Sequence, residues 1–253
     1  MFEWCQATTG SRYRPQYLWP TLQSASSAKA LGVPRISVVE FGVAGGNGLL
    51  ALEEAAAAAE SLLGIGVAVA GFDTGKGLPP PVDHRDVPFV LRPGYFEMDE
   101  RALRDRLSRA ELVLGPVAET LGPWLEAGPA PVGFAAFDLD YWSSTVDALR
   151  LFDARDGVLL PRILCYFDDI LGVAWGDFNG ERAAIADFNA GHERRKLGPL
   201  HGMRHFVPPP EHLKPWPEQL YMAHLFDHGR YNDPEGEPAS FWFEELRLPP
   251  TDG

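Results

Sequence analysis

The chain has 253 residues, which is enough to bury a full core and fits one domain, since single cores stop growing at about 250–300 residues. Its hydrophobic content of 45% and charged content of 23% are those of an ordinary globular protein. The formal net charge of −13 argues against nucleic-acid binding, which depends on basic residues that neutralise phosphates, and against attachment to an anionic membrane surface.

The apolar runs, the first residues and the cysteines indicate where the protein works. No apolar run reaches the roughly 20 residues that cross a bilayer. The first residues have neither the basic nor the apolar region of a secretory signal. Cys5 and Cys165 show no disulfide or metal-binding spacing, which favours a reducing compartment. We therefore expect a cytoplasmic protein with no membrane partner.

Short apolar runs alternate with helical patterns along most of the chain. The predicted elements are an aromatic and basic arm at 1–19, a helix at 22–31, a strand at 36–43, a helix capped by Asn47, a strand at 67–72, a loop at 74–97, a helix capped by Asp99, a strand at 111–114, a helix to Trp124, a strand ending at Asp138, a helix at 145–152, a strand at 159–167 and a helix at 180–190. Residues 203–207 and 220–226 are predicted to form a terminal antiparallel pair of strands.

This alternation predicts an α/β fold. We expect a Rossmann-like, mostly parallel central sheet of about seven strands, with the last one antiparallel and helices on both faces. The predicted organisation is an N-terminal arm and helix at 1–31, a main domain at 32–230 and a C-terminal tail at 231–253 that packs on it. The Gly- and Pro-rich loop at 74–97 is an insertion of a length that is usually functional.

Acidic residues follow or end three of the predicted strands. They are Glu40, the pair Asp138 and Asp140, and the pair Asp168 and Asp169. Because open α/β sheets bind ligands at the carboxyl ends of their strands, these carboxylates are expected along one crevice. Such a concentration of negative charge predicts a positively charged ligand.

The Gly-rich turn at 42–48 follows the first strand and does not have the G-x-G-x-x-G spacing of dinucleotide sites. Glu40 stands two residues before it, where a carboxylate repels pyrophosphate but suits a ligand with ammonium and sulfonium groups, such as S-adenosylmethionine. The candidate cofactor residues in this region are Glu40, Gly42, Ala44, Gly45 and Gly46. A Gly-rich βα turn without a ligand is the alternative.

Asp73 ends the second strand, where a carboxylate can accept hydrogen bonds from both hydroxyls of a ribose. This signal is shared with nicotinamide enzymes, so it indicates a nucleoside and not a particular cofactor. The alternative is a plain turn or capping aspartate.

The order E-F-G-V-A-G-G, F-D-T-G-K-G-L-P, D-L-D-Y-W-S-S-T-V-D-A-L and Y-F-D-D-I resembles class I S-adenosylmethionine-dependent methyltransferases, and most of all the macrocin/mycinamicin-type sugar O-methyltransferases. The resemblance covers about residues 36–190 and departs from the family at Tyr141-Trp142 and in the missing Arg of the Gly-rich turn. It implies the class I methyltransferase fold, S-adenosylmethionine near Asp73 and Thr74, and a small-molecule acceptor. It also implies magnesium held by Asp138, Asp168 and Asp169.

Electrostatics supports a metal independently of the resemblance. Two like charges about 4 Å apart repel by on the order of 4 kcal/mol at an effective dielectric of 20. A cluster of Asp138, Asp168 and Asp169 therefore needs a proton, a base or a cation, and oxygen-only ligands favour Mg²⁺ or Ca²⁺. The alternative is that Asp169 caps a helix in solvent and no metal binds.

Together these features predict an S-adenosylmethionine-dependent O-methyltransferase, assisted by a divalent metal, that acts on a vicinal diol of a sugar-containing or phenolic small molecule. Asp138 is the candidate catalytic residue, as general base. A nicotinamide-dependent oxidoreductase and a non-catalytic nucleoside-binding protein are the alternatives. The aromatic arm at 1–19 is a candidate contact with a second subunit in a homo-oligomer.

Overall fold

A computed structural model describes residues 14–235. The predictions made for 1–13 and 236–253, which are most of the arm and of the tail, lie outside the described residues. The strands are β1 (Arg35–Phe41), β2 (Gly66–Asp73), β3 (Glu111–Leu114), β4 (Val132–Phe137), β5 (Leu159–Phe167), β6 (Arg195–Pro199) and β7 (Leu220–Leu225). The α-helices are α1 (Pro15–Ala30), α2 (Asn47–Leu63), α3 (Glu100–Arg104), α4 (Val117–Glu126), α5 (Trp142–Leu149) and α6 (Gly180–Gly191).

The strands form one seven-stranded sheet in the order β3-β2-β1-β4-β5-β7-β6. β7 pairs antiparallel with β5 and β6, and the pairs from β3 to β5 are parallel. The predicted α/β fold, mostly parallel with an antiparallel last strand, is confirmed. The strand order changes direction between β1 and β4, which is the point where such sheets bind ligands.

Four phenylalanines connect the carboxyl ends of the central strands. Phe72, Phe41, Phe137 and Phe167 belong to β2, β1, β4 and β5, which are adjacent in the sheet. Their ring centroids are 5.0, 5.2 and 4.5 Å apart in that order, with near-parallel planes. This phenylalanine row is fully buried and fixes the level at which the four strands end. The residues after each strand therefore emerge side by side.

Helix α1 begins at Pro15, seven residues before the predicted start, so part of the expected arm is helical. Proline is tolerated at the first helical position, where its missing N–H has no partner to lose. Tyr17 is fully buried, and Trp19 is partly buried against the core. Tyr17 therefore packs within its own chain, while the contact of the arm with a second subunit stays a prediction.

The predicted strand at 203–207 is wrong. Met203–His205 is a 3-10 turn, and the partner of β7 is β6. β6 is an edge strand that begins with Arg195 and Lys196, and edge strands commonly carry charged residues instead of an apolar alternation. Asn47 is likewise the first residue of α2 and not its cap, which is Gly46.

The described part of the tail, residues 231–235, contacts the sheet, where Glu235 pairs with Arg162 of β5 at 2.6 Å. The loop at 74–97 contains one 3-10 turn, His84–Asp86. Between residues 14 and 235, none of the helices is both long and apolar enough for a bilayer crossing.

Candidate functional site

A cavity of about 530 Å³ opens at the carboxyl ends of β1, β2, β4 and β5, above the phenylalanine row. It brings together seven of the predicted site residues: Gly42, Ala44, Asp73, Thr74, Asp138, Asp168 and Asp169. Glu40, Gly45 and Gly46 do not line it. A second groove of about 630 Å³ beside α4 contains none of the predicted site residues. The predicted site residues therefore meet in the smaller cavity, which is called the site cavity below.

The backbone of the Gly-rich turn approaches the end of β4 very closely. Gly42 has φ +84°, and a Cβ at this position would lie 1.8 Å from the carbonyl oxygen of Asp138. Gly45 has open space where a Cβ would stand. Of these two glycines, only Gly42 is required by both its backbone conformation and its surroundings.

Asp73 holds the Gly-rich turn in place. Its Oδ2 accepts hydrogen bonds from the amides of Val43 at 2.8 Å and Ala44 at 2.9 Å, and its Oδ1 accepts one from Gly75 at 2.6 Å. A carboxylate has about four acceptor positions. Since three are used, the predicted contact with both ribose hydroxyls requires Asp73 to release a turn amide.

Glu40 lies behind the wall of the site cavity. It is 1% exposed, and its Oε1 accepts a hydrogen bond from the Tyr17 hydroxyl at 2.8 Å. Burial, and to a smaller extent the charge of nearby Asp138, raises the pKa of Glu40 to about 8 against the lowering effect of the Tyr17 hydrogen bond. Its predicted contact with an ammonium group stays a prediction. Tyr17 was not found from the sequence because it comes from a helix 23 residues earlier in the chain.

Asp138, Asp168 and Asp169 form an acid triad. One carboxylate oxygen of each lies within 4.8 Å of the other two. The sheet explains this arrangement, because β4 and β5 are parallel neighbours with Phe137 opposite Phe167. A small, anionic and oxygen-only set of ligands fits a hard divalent cation such as Mg²⁺ or Ca²⁺. The triad thus fits the metal that the sequence predicted.

Burial and mutual repulsion disturb the titration of these acids. Burial, followed by the charges of Asp168 and Asp169, raises the pKa of Asp138 to about 8. Burial and then Asp140 and Asp168 raise the pKa of Asp169 to about 8. The pKa of Asp140, which also lines the cavity, rises to about 7 for the same reasons. These acids therefore favour a bound proton, or another positive charge, over being ionised together.

We expect the metal-free protein to lose stability as the pH rises from about 4 to about 8. The pKa values of Asp138 and Asp169 in the folded chain, each about 8, lie above the unfolded value of about 3.9. The folded state then binds more protons than the unfolded state, so the free energy of unfolding falls across this window. Thermal unfolding in EDTA at several pH values checks this.

The variant Asp169→Asn is expected to show a shallower fall in stability than the wild type over the same pH window, and Mg²⁺ is expected to oppose the fall in the wild type only. Equal pH slopes for wild type and variant in EDTA contradict the expectation.

Two acids near the triad had no predicted role. Asp140 has φ +58°, and its amide donates to Oδ2 of Asp169 at 3.1 Å. Glu181 of α6 is fully buried and accepts from the amide of Asp169 at 2.9 Å. An acid in the first turn of an amphipathic helix is ordinary in a sequence, so nothing marked Glu181 in advance.

The loop at 74–97 is fixed to α5 by a buried acid. Asp86 is fully buried and accepts hydrogen bonds from the amide of Val82 and from the amide and hydroxyl of Ser143, at 2.7 and 2.9 Å. Val82, Ser143 and Phe96 line the site cavity. The inserted loop thus forms part of its wall.

The structure is similar to that of CalS11, a calicheamicin methyltransferase, with a TM-score of 0.54 and 21% identity over 83% of this chain and 80% of that chain. An apo structure of CalS11, described as a TDP-rhamnose 3'-O-methyltransferase, gives a TM-score of 0.48 and 21% identity over 83% of this chain and 81% of that chain. The methyltransferase PaMTH1 of Podospora anserina, bound to S-adenosylhomocysteine, gives a TM-score of 0.46 and 16% identity over 88% of this chain and 85% of that chain. No protein-family model and no curated protein matches the chain. The likeness to CalS11 shows the fold, which is the Rossmann-like fold of class I methyltransferases.

Proposed function

We propose that the chain is an S-adenosylmethionine-dependent O-methyltransferase, assisted by a divalent cation, that acts on a vicinal diol of a sugar-containing or phenolic small molecule. The observation that carries the proposal is the acid triad in the same cavity as the Gly-rich turn and Asp73. A methyl donor and a cation-held acceptor would both reach this cavity.

The charge of the cavity wall favours a positively charged cofactor. Six aspartates line the site cavity, and within residues 14–235 its lining includes no lysine, arginine or histidine. This wall suits the sulfonium and ammonium groups of S-adenosylmethionine. A nicotinamide dinucleotide carries a pyrophosphate, for which the described lining offers no basic side chain. The proposed cofactor residues are Gly42, Ala44, Asp73 and Thr74, which line the cavity, together with Glu40, Gly45 and Gly46, which do not line it.

The acid triad would hold the cation, proposed as Mg²⁺, on the acceptor side of the cavity. A bound cation would lower the pKa of an acceptor hydroxyl and help to orient it. A carboxylate of the chain would take the hydroxyl proton, and the oxygen would bond to the methyl carbon of S-adenosylmethionine as the carbon–sulfur bond breaks, with S-adenosylhomocysteine as the leaving group. Asp138 is the proposed base because its carboxylate belongs to the acid triad and lines the cavity in which a cation-held hydroxyl would lie. Asp140 lies in the same cavity outside the triad and is the second candidate.

We expect S-adenosylhomocysteine to stabilise the full-length protein against heat, and NAD to leave its Tm unchanged. At a ligand concentration 100 times Kd, the gain is about 2.7 kcal/mol, which is about 5–10 °C in Tm for a chain of this size. Thermal unfolding with each ligand, and with Mg²⁺, measures this. Stabilisation by NAD alone would favour the oxidoreductase.

A matched pair of variants separates the two halves of the site. Asp73→Asn is expected to reduce the shift with S-adenosylhomocysteine and keep the shift with Mg²⁺, since Asp73 holds the turn and lies outside the triad. Asp168→Asn is expected to keep the shift with S-adenosylhomocysteine and reduce the shift with Mg²⁺. Binding of S-adenosylhomocysteine without methyl transfer to any diol-containing acceptor, with Mg²⁺ present, would favour the non-catalytic alternative.

A further inference from the structure

Glu181 is a carboxyl group buried directly behind the acid triad. It is the second residue of α6 and is 0% exposed. Its Oε2 accepts a hydrogen bond from the backbone amide of Asp169 at 2.9 Å. Its Oε1 is also buried and has no hydrogen-bond partner among the described residues. Burying a carboxyl group with only one hydrogen bond costs free energy, so its position behind the triad calls for an explanation.

The turn after β5 contains Asp169, whose backbone amide is the partner of Glu181. Asp168–Ile170 is a single 3-10 turn in which Asp169 has φ −99° and ψ +28°, outside regular helix. The amide of Asp169 is bonded to Glu181, while Oδ2 of the same residue accepts from the amide of Asp140 at 3.1 Å. These two hydrogen bonds connect α6 to the ends of β5 and β4. The orientation of the Asp169 carboxylate is thus set from both sides.

We propose that Glu181 is a positioning residue for the divalent-cation site, which it shapes through the amide of Asp169 without contacting the cation. The inference rests on the metal half of the proposed function. Groups that hold metal ligands in place commonly change metal affinity 10–100-fold when they are removed, an order-of-magnitude expectation from general experience. The backbone of Asp168 is held by a similar hydrogen bond, which Nε2 of Gln219 donates to its carbonyl oxygen at 2.6 Å.

Two substitutions at Glu181 separate the hydrogen bond from the acidic group. Glu181→Gln removes the acidic group and keeps an oxygen that accepts from the amide of Asp169. Glu181→Met also removes the acidic group and keeps the chain length, but it has no good acceptor. Glu53→Met is the matched control, because Glu53 is a buried glutamate of α2 that accepts from the amides of Ser108, Arg109 and Ala110, and it does not line the site cavity.

The measurement is the Kd of Mn²⁺ for the full-length protein, by isothermal titration calorimetry or electron paramagnetic resonance, with the affinity for S-adenosylhomocysteine recorded beside it. Glu181→Met is expected to raise the Kd of Mn²⁺ about tenfold or more. Glu181→Gln is expected to stay within about threefold of the wild type, below the tenfold scale of a lost positioning contact. Glu53→Met is expected to lower Tm and leave the Kd of Mn²⁺ unchanged.

Each other result overturns the inference. Unchanged Mn²⁺ affinity in Glu181→Met means that the hydrogen bond does not shape the site. Equal loss in both Glu181 variants assigns the effect to the acidic group itself, and equal loss in Glu53→Met assigns it to general destabilisation. A wild type that takes up no Mn²⁺ overturns the metal half of the proposed function together with this inference, whereas uptake by the wild type with no effect at Glu181 overturns the inference alone.

Discussion

Replacing Asp138 by asparagine is expected to lower kcat/KM for methyl transfer at least about 100-fold, the lower end for loss of a general acid or base. The substitution removes a carboxylate of the acid triad and the proposed base in one step. Methyl transfer from S-adenosylmethionine to a diol-containing acceptor, at saturating Mg²⁺, measures it. Asp153→Asn is the control, because Asp153 is a partly exposed aspartate bonded to His192 outside the site cavity.

Asp140→Asn separates the proton-accepting role from the metal-holding role. Asp140 lines the site cavity without belonging to the triad. If Asp138 is the base, Asp140→Asn keeps most of the activity and most of the affinity for Mn²⁺. A loss of activity at Asp140 with unchanged Mn²⁺ affinity would move the proton-accepting role to Asp140. Wild-type rates in Asp138→Asn would remove Asp138 from the mechanism.

Replacing Gly42 by alanine is expected to destabilise the protein by about 2–4 kcal/mol, as strain at a positive φ adds to overpacking. The new Cβ would lie 1.8 Å from the carbonyl oxygen of Asp138, which is backbone and has no rotamer that avoids the contact. Because the Gly-rich turn and the start of the triad would both move, the affinities for S-adenosylhomocysteine and for Mn²⁺ are expected to fall together. Urea unfolding and calorimetry measure the two effects.

Gly45→Ala is the matched control for this prediction. It lies three residues further along the same turn and has open space at the Cβ position. We expect its stability to change by less than about 1 kcal/mol, in the range found for Gly to Ala changes at permissive positions. If the two variants lose stability equally, the close approach of Gly42 to Asp138 does not exist in solution.

The central strands were predictable because their residues face apolar neighbours on both sides. β5 begins and ends where the sequence predicted, at 159–167, and so does the partly exposed edge strand β3, at 111–114. The members of the triad were predicted from the resemblance to the methyltransferase family, whose fold places the strands that end at Asp138 and Asp168 side by side, as β4 and β5 are here. The sequence pattern did not predict the elements correctly where their residues are unusual for a helix or a strand. Pro15 and Pro20 hid the first turns of α1, and charged residues hid the edge strand β6.

The supporting side chains of the site were not predictable for a different reason. Tyr17 reaches Glu40 from 23 residues away, and Glu181 reaches Asp169 from 12 residues away. Contacts of this kind depend on how helices are seated on the sheet, which hydrophobic periodicity does not specify. The burial of Glu40 also follows from packing, because α1 covers the face of β1 on which this side chain lies.

The phenylalanine row has a consequence for how the cavity can diverge among related chains. Since the four rings touch in sequence from β2 to β5, a smaller residue at any of them would disturb the spacing of several acids at once. Val82 and Phe96 stand on the inserted loop, away from the rings, and are exposed. Under the proposed function, preference for new acceptors can therefore evolve by exchange of loop residues, while the acids of the site keep their mutual distances.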